Sequence, residues 1–404
     1  MNMSSLRVLL VEGIHPRAVE VLEKEGFKVE THKHSPNEKE LSQMLKNFDV
    51  LGIRSKTQVP EQVFIDNPQL ITVGAFCIGT DQVNTLKANQ HGVPVFNAPY
   101  SNTRSVAELV IAEIVALSRQ LGDRNTKAHQ GIWEKSAAGS REIRGKTLGI
   151  VGYGHIGSQV SVLAESFGMR VNYFDLVKKL PLGNCYPRES LQELLEHSDF
   201  VSLHVPDTPQ TRNLITAREL KWMRKGSHII NASRGSVVNI TDLASALRAG
   251  HIAGAAVDVF PIEPASNNEK FVSELQGIPN VILTPHIGGS TEEAQEAIGV
   301  EVARSFVGFL KNGSTRGAVN FPNVDLPVIH HDSHRLLNVH KNVPGVLSDI
   351  NSIVSDLGAN IQAQYLSTDP HIGFLVMDIE KVSANEVCRR VSELKTSIKT
   401  RVLY

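Results

Sequence analysis

Between Leu6 and Pro99, apolar runs of four to six residues alternate with stretches whose apolar positions recur every three or four residues. The runs Leu6–Val11, Val50–Ile53, Leu70–Ala75 and Val93–Phe96 predict strands, and His15–Gly26, Glu38–Asn47 and Gln82–His91 predict helices between them. Such alternation predicts a parallel sheet covered on both faces. Ser101–Gly122 begins with polar residues suited to capping. It continues with Val106, Leu109, Val110, Ile114 and Leu117 at helical spacing, which predicts one long helix leading into a second α/β domain. There Phe200–Val205, His228–Ala232, Ala253–Phe260 and Val281–Leu283 predict strands, and Thr216–Arg224 and Ile240–Ala249 helices. Ser290-Thr-Glu-Glu293 reads as a capping box opening a helix that runs to about Lys311 and stops near Gly313. A helix of that length can return the chain to the first domain.

The two prolines of Asn320–Leu326 and the residue after it (NFPNVDLP) read as a linker. Beyond it Arg335–His340 predicts a strand. Pro344–Gly358 predicts a helix striped by Val346, Leu347, Ile350, Ile353, Val354 and Leu357. Strands at Ile361–Ser367 and Ile372–Ile379, a helix at Ala384–Thr396 and a strand at Ile398–Leu403 complete βαββαβ, a ferredoxin-like sandwich of about 75 residues. It is poor in convergent acid–base groups, so a regulatory or assembly role suits it. The expected architecture is α/β, with two doubly wound parallel-sheet domains followed by the sandwich. The first domain is discontinuous (residues 1–101 and 290–328), the second spans 102–289 and the third 329–404.

Chemistry enters at Thr147–Asp175, where strand, glycine turn, helix and strand follow one another. Gly152, Gly154 and Gly157 form G-x-G-x-x-G. The first permits the tight turn, the second lets backbone approach a pyrophosphate, and the third lets the helix pack close to the strand. Free N–H groups at the helix start attract phosphate. Asp175, 18 residues past Gly157, ends the second strand. A carboxylate there accepts hydrogen bonds from a ribose and repels a 2′-phosphate, which favours NAD over NADP. A glycine-rich turn alone is weak evidence; its full strand–helix–strand–acid context makes the difference. Lys178 and Lys179 read as a solvated loop.

Formal net charge is −1 with a pI near 7.0, so bulk charge suggests neither nucleic acid nor an acidic membrane as partner. An anionic substrate must therefore meet a local basic cluster. The cysteines Cys77, Cys185 and Cys388 are far apart and odd in number, which suits a reduced cytoplasm. The N-terminal apolar run is too short for a signal peptide, and Val106–Leu117 is too short to span a bilayer. No metal is expected. Trp133, in the loop Gly131–Gly145, suits an oligomer contact or a core position equally.

Three residues follow strand-like runs in the nucleotide domain, where open α/β sheets place ligands. Arg234 lies in NASRG, Glu263 in FPIEP and His286 in TPHIGG. Transfer of hydride from an alcohol carbon requires a group that removes the hydroxyl proton, and histidine suits that near neutral pH. A carboxylate would raise its pKa and fix its tautomer. An arginine would grip a substrate carboxylate through two parallel hydrogen bonds. Arg54 and Lys56 in GIRSKT, Lys33 in THKH and Lys135 in WEKSAAGS could meet a phosphate; Lys33 and Lys135 suit a solvated surface as well.

GYGHIG, NASRG, AAVDVFPIEP and LTPHIGG stand in the order found in the D-isomer-specific 2-hydroxyacid dehydrogenases, which the chain resembles over nearly its whole length. RSVAELVIAEIVAL, FNAPYSNTRS, GAFCIGTDQV and AVNFP extend the likeness to members with a short C-terminal ACT domain. The resemblance implies NAD as cofactor, 3-phospho-D-glycerate as substrate, a step toward L-serine, feedback by L-serine through the ACT domain, and a homotetramer. It implies Arg234 on the substrate carboxylate and Glu263 paired with His286, the proton acceptor or donor. It places His155 and Ile156 on the pyrophosphate and Asp175 on the adenosine ribose. Ala232, Ser233 and Arg234 would line the cofactor, Asp258 would meet the nicotinamide amide, and His286, Ile287, Gly288 and Gly289 would flank it. Serine would meet His340 and Asn342 in NVHKNVPGVL and Asn360 in GANIQAQYL. Where Lys56 stands, close relatives commonly carry arginine, whose planar fork lysine lacks. Reduction of 2-oxoglutarate as a side activity, another hydroxy acid as substrate, and a non-enzymatic NAD(H)-sensing role remain as alternatives.

Overall fold

The computed structural model describes residues 6–264, 268–327, 329, 333–380 and 384–404. Contacts divide the chain into two compact units. One runs from the N-terminal residues to Ser101 and resumes at Gln295; the other is Asn102–Ala294.

The first residues form β1 (Arg7–Leu10), α1 (Pro16–Lys24), β2 (Lys28–Thr31), α2 (Glu38–Leu45), β3 (Val50–Ile53), α3 (Glu61–Asp66), β4 (Thr72–Ala75), α4 (Thr85–Gln90) and β5 (Val95–Phe96). The strands make an all-parallel sheet in the order β2-β1-β3-β4-β5. β1, β3 and β4 lie where their apolar runs put them. β2 escapes that reading because it is an edge strand with no buried residue, and α3 because six residues hold too little periodicity.

The second unit contains α5 (Thr103–Arg119), α6 (Leu121–His129), β6 (Thr147–Val151), α7 (His155–Ser166), β7 (Arg170–Phe174), β8 (Tyr186–Pro187), α8 (Leu191–Glu196), β9 (Phe200–Leu203), α9 (Ala217–Trp222), β10 (Ser227–Asn231), α10 (Ile240–Arg248), β11 (Ile252–Val257) and β12 (Val281–Leu283). Its parallel sheet runs β12-β11-β10-β9-β6-β7-β8, so the direction of winding reverses between β6 and β9, beside the glycine turn. The single long helix expected over Ser101–Gly122 breaks at Gln120, which takes a left-handed conformation (φ 52°) before α6 restarts. No proline or glycine at that residue marks the break.

α11 (Glu292–Asn312) follows. Its cap differs from the expected box: Thr291 Oγ1 accepts the Ala294 N–H at 3.2 Å, while the Ser290 N–H is drawn back to Ile287 O. Val302 and Phe306 press on the first sheet at Gly74, where a Cβ would stand 2.5 Å from the Phe306 ring. The segment read as a linker is packed instead. Phe321, Val324 and Leu326 are buried in the same core, and the Asn320 side chain bonds Val95 N, Thr85 O and Val93 O.

The chain closes with β13 (Ser333–Lys341), α12 (Val346–Asp356), β14 (Ile361–Thr368), β15 (Ile372–Glu380), α13 (Ala384–Ser392) and β16 (Ser397–Leu403). The antiparallel order β14-β15-β13-β16 is the ferredoxin-like one. Alternation along the strands serves two cores. Leu336, Leu375 and Met377 pack under α12 and α13. Leu337, Val339, Phe374 and Val376 join the core that holds Phe309 and Phe321.

Candidate active site

The glycine turn has the geometry its spacing requires. Gly152 sits at φ 91°, and a Cβ there would stand 2.3 Å from His204 O. A Cβ on Gly157 would lie 2.2 Å from Gly152 O, so only glycine lets α7 rest on the turn. At Gly154 a Cβ would meet nothing within 4 Å, which leaves open space before the first N–H groups of α7 at His155 and Ile156. The Asp175 carboxylate accepts the N–H of Tyr153 at 2.8 Å and of Val177 at 2.9 Å, tying the end of β7 to the turn. These residues fit a dinucleotide: a donor-lined opening for a pyrophosphate and, at the end of the next strand, a carboxylate with spare lone pairs for a ribose. Lys178 and Lys179 are exposed.

Asn231 shapes the loop after β10. Its Oδ1 accepts Ser233 N and Oγ, and its Nδ2 donates to Arg234 O at 3.0 Å. Ala232 and Ser233 thereby turn inward, and Arg234 follows in extended backbone, its Nη1 donating to Ser233 O. At Gly235 a Cβ would fall 2.0 Å from the Phe260 carbonyl carbon, so this loop lies directly on the backbone leading to Glu263.

His286 is a non-glycine residue at φ 54°. Asp258, buried at the end of β11, holds it there. The His286 N–H donates to Asp258 O at 2.8 Å. The Asp258 carboxylate accepts Thr284 Oγ1 at 2.6 Å and the N–H groups of Ile287 and Gly288 at 2.8 Å each. The imidazole Nδ1 meets Glu263 Oε2 at 2.9 Å and Oε1 at 3.1 Å, and Glu263 Oε1 also accepts the Phe260 N–H. The Glu263 hydrogen bond raises the His286 pKa against the opposing pull of burial. Burial works against the Glu263 charge in turn, but the His286 and Phe260 donors outweigh it and keep its pKa below the ordinary value. The charge of Arg234 bears on both groups. With Nδ1 committed to Glu263, Nε2 is the ring nitrogen left to exchange a proton with a ligand. The site thus offers a histidine tuned as proton acceptor, a carboxylate that fixes its tautomer and a guanidinium for an anionic group.

Residues 111–288 match the family model described as D-isomer specific 2-hydroxyacid dehydrogenase, NAD binding domain. Residues 336–399 match an AHAS small subunit-like ACT domain. A D-3-phosphoglycerate dehydrogenase of Dictyostelium discoideum is 53% identical over 399 residues, 99% of this chain and 97% of that one. The chain belongs to the D-3-phosphoglycerate dehydrogenase family. One from Escherichia coli K12 is 49% identical over 402 residues, 99% of this chain and 98% of that one. Among solved structures, a D-lactate dehydrogenase from Aquifex aeolicus complexed with NAD and lactic acid superposes with a TM-score of 0.67 at 26% identity. It covers 78% of this chain and 100% of that one. The chain is therefore an NAD-dependent oxidoreductase with the family's nucleotide fold.

The family's NAD, when bound, supplies the carbon that accepts or returns a hydride. Gly288 and Gly289 close the loop beside His286, and Ile287 is exposed. Of the basic residues, Arg54 and Lys56 lie in the first unit on a loop held by Glu12. The Glu12 carboxylate accepts the N–H groups of Arg54, Lys56 and Thr57, and Gln82 Nε2 donates to Arg54 O. Glu12 and Gln82 escaped the sequence reading, since nothing local ties them to that loop. Lys33 is exposed in the same unit. Lys135 is exposed beside Arg119, Arg124 and Arg141, and Trp133, 86% exposed, is not a core residue.

His340, buried, bonds Lys341 O through Nδ1 at 2.9 Å and lies against Gly373. Asn342 Nδ2 donates to Asp369 O at 2.7 Å. Asn360 is not brought to them. His340 pairs with Gly373, whereas Ile361, the neighbour of Asn360, pairs with Ile379, six residues further along β15 or roughly 20 Å. Among the described residues no helix is long and apolar enough to cross a membrane, and Cys77, Cys185 and Cys388 form no disulfide with one another.

Proposed function

We propose that this chain oxidises 3-phospho-D-glycerate to 3-phosphohydroxypyruvate with NAD, a step toward L-serine, and that L-serine restrains it through the C-terminal sandwich. The observation that carries the reading is the His286–Glu263 pair at 2.9 Å, in a chain whose relatives named above are phosphoglycerate dehydrogenases. Arg234 holds the substrate carboxylate as a two-point clamp, which presents C2 and its hydroxyl to the site. His286 Nε2 takes the hydroxyl proton as the C2 hydrogen leaves with its electron pair for the nicotinamide. Glu263 stabilises the imidazolium that results. The carbon becomes a carbonyl, so one proton and one hydride leave the alcohol together. Arg54 and Lys56, with Lys33 or Lys135, meet the phosphate end. In reverse the same groups serve reduction of a 2-oxo acid, and 2-oxoglutarate is the side substrate proposed.

His340 and Asn342 stand at one end of the sandwich sheet and Asn360 toward the other. A serine that meets all three is held between two copies of the chain, which supports an assembly through these sheets and, with a second interface, a tetramer. The test follows NADH formation with 3-phosphoglycerate, D-glycerate, D-lactate and 2-hydroxyglutarate, each with and without L-serine. Preference for 3-phosphoglycerate and inhibition by serine that Asn342→Ala removes are expected. Preference for an unphosphorylated acid overturns the substrate, and turnover indifferent to serine overturns the regulation.

A further inference from the structure

α5 carries one acid into the core. Glu113 is 4% exposed, and neither carboxylate oxygen has a hydrogen-bond partner. It lies one helical turn beyond Leu109 and two beyond Val106 on the same face. That face abuts the turn that carries His286. A Cβ built on Gly288 would stand 3.1 Å from Asp258 Oδ2, 3.5 Å from Val106 and 3.8 Å from Leu109. Glu113 and Asp258 are thus both buried, on α5 and on the β11 end that the same face of α5 packs toward at Gly288. Asp258 accepts three donors there, from Thr284, Ile287 and Gly288, and Glu113 none. A buried carboxyl with no donor of its own ionises only at a cost, and a second carboxylate nearby adds to it.

We propose that Glu113 is a positioning residue for hydride transfer: as the neutral member of this pair it leaves Asp258 free to clamp residues 286–288, and so keeps His286 on Glu263. Burial first, and then the Asp258 charge, push the Glu113 pKa up to about 8. Other ionisable groups belong to elements packed against α5 or to the residues that follow them. They are Asp123, Arg124, Lys127 and His129 on α6, His155 and Glu165 on α7, His228 on β10, and His286 after β12. Of all of these and Asp258, Asp258 is the one whose charge bears on Glu113. Ionisation of Glu113 sets a second negative charge against Asp258. Repulsion between the two carboxylates then pushes Asp258 off the Ile287 and Gly288 amides, and the histidine loop loosens.

The inference rests on His286 as the proton acceptor and not on which hydroxy acid is the substrate. Its test compares kcat/KM of the full-length enzyme and Glu113→Gln from pH 6 to pH 10. Glutamine keeps the neutral shape at every pH. The ratio of variant to wild type is expected to be flat below pH 7 and to rise through pH 8. It reaches about tenfold one unit above the midpoint if only the protonated form is active. Superimposable profiles overturn the proposal. An infrared difference spectrum of the wild type between pH 7 and pH 9 tests the proton itself without turnover. Loss of a protonated-carboxyl band that Glu113→Gln lacks is expected, and no such band overturns the proposal.

Discussion

His286 holds a backbone conformation that few residues other than glycine adopt, and it is held there by bonds that converge on Asp258. The strain sits where a ring must be aimed rather than merely placed. Its partner sets its proton affinity. Because Glu263 raises the His286 pKa, the acceptor form is lost as pH falls through that raised value, and oxidation falls with it. Glu263→Gln removes the charge and lowers the histidine pKa. The acid-side fall of kcat/KM is therefore expected to move to lower pH, with a lower maximum from a less firmly held tautomer. An acid limb that stays in place contradicts the pairing. The meeting of Glu263 with His286 was legible because each follows an apolar run, where parallel sheets place ligands. The Asp258 clamp was not, because its bonds span 26 to 30 residues of chain and no local pattern encodes them.

Among the elements, those with a buried apolar run announced themselves. The exposed edge strand β2 and the short helices α3 and α8 did not, because their burial is decided by neighbours. β13 shows what hydrophobic patterning hides. Arg335, fully buried, donates Nε and Nη2 to the Asp378 carboxylate at 2.6 and 2.7 Å, and Nη1 to Asn312 O and Pro327 O. One guanidinium thus joins β13, β15, the end of α11 and the segment after it. Asp378→Ala leaves that cation buried without its counter-charge and should cost roughly 3–5 kcal/mol. The cost is measured as a lowered denaturant midpoint for the unit that contains the sandwich. An unchanged midpoint contradicts the tie.

At the scale of the whole molecule, alternation of strand and helix made both doubly wound sheets legible, and the βαββαβ order made the sandwich legible. The texture of NFPNVDLP misled, because prolines mark irregular backbone and not exposure: Phe321, Val324 and Leu326 are core residues. Nor could the sequence reveal how the sandwich is fastened. Asn89 Nδ2 reaches Asp369 Oδ2 at 2.7 Å, and Asp369 O in turn holds Asn342. Arg401 lies over the Phe309 ring at 5.0 Å. Through Asp369, a residue proposed to hold serine is bonded to a helix of the first sheet, a physical route for the regulation proposed above.

Everything proposed for the site turns on His286 taking the hydroxyl proton as NAD is reduced. The most direct measurement is single-turnover NADH formation from 3-phosphoglycerate by wild type and His286→Ala at equal bound NAD. A loss of roughly 10²–10⁴-fold in the rate of the chemical step is expected, with cofactor binding retained. A variant that reduces NAD at nearly the wild-type rate would contradict it.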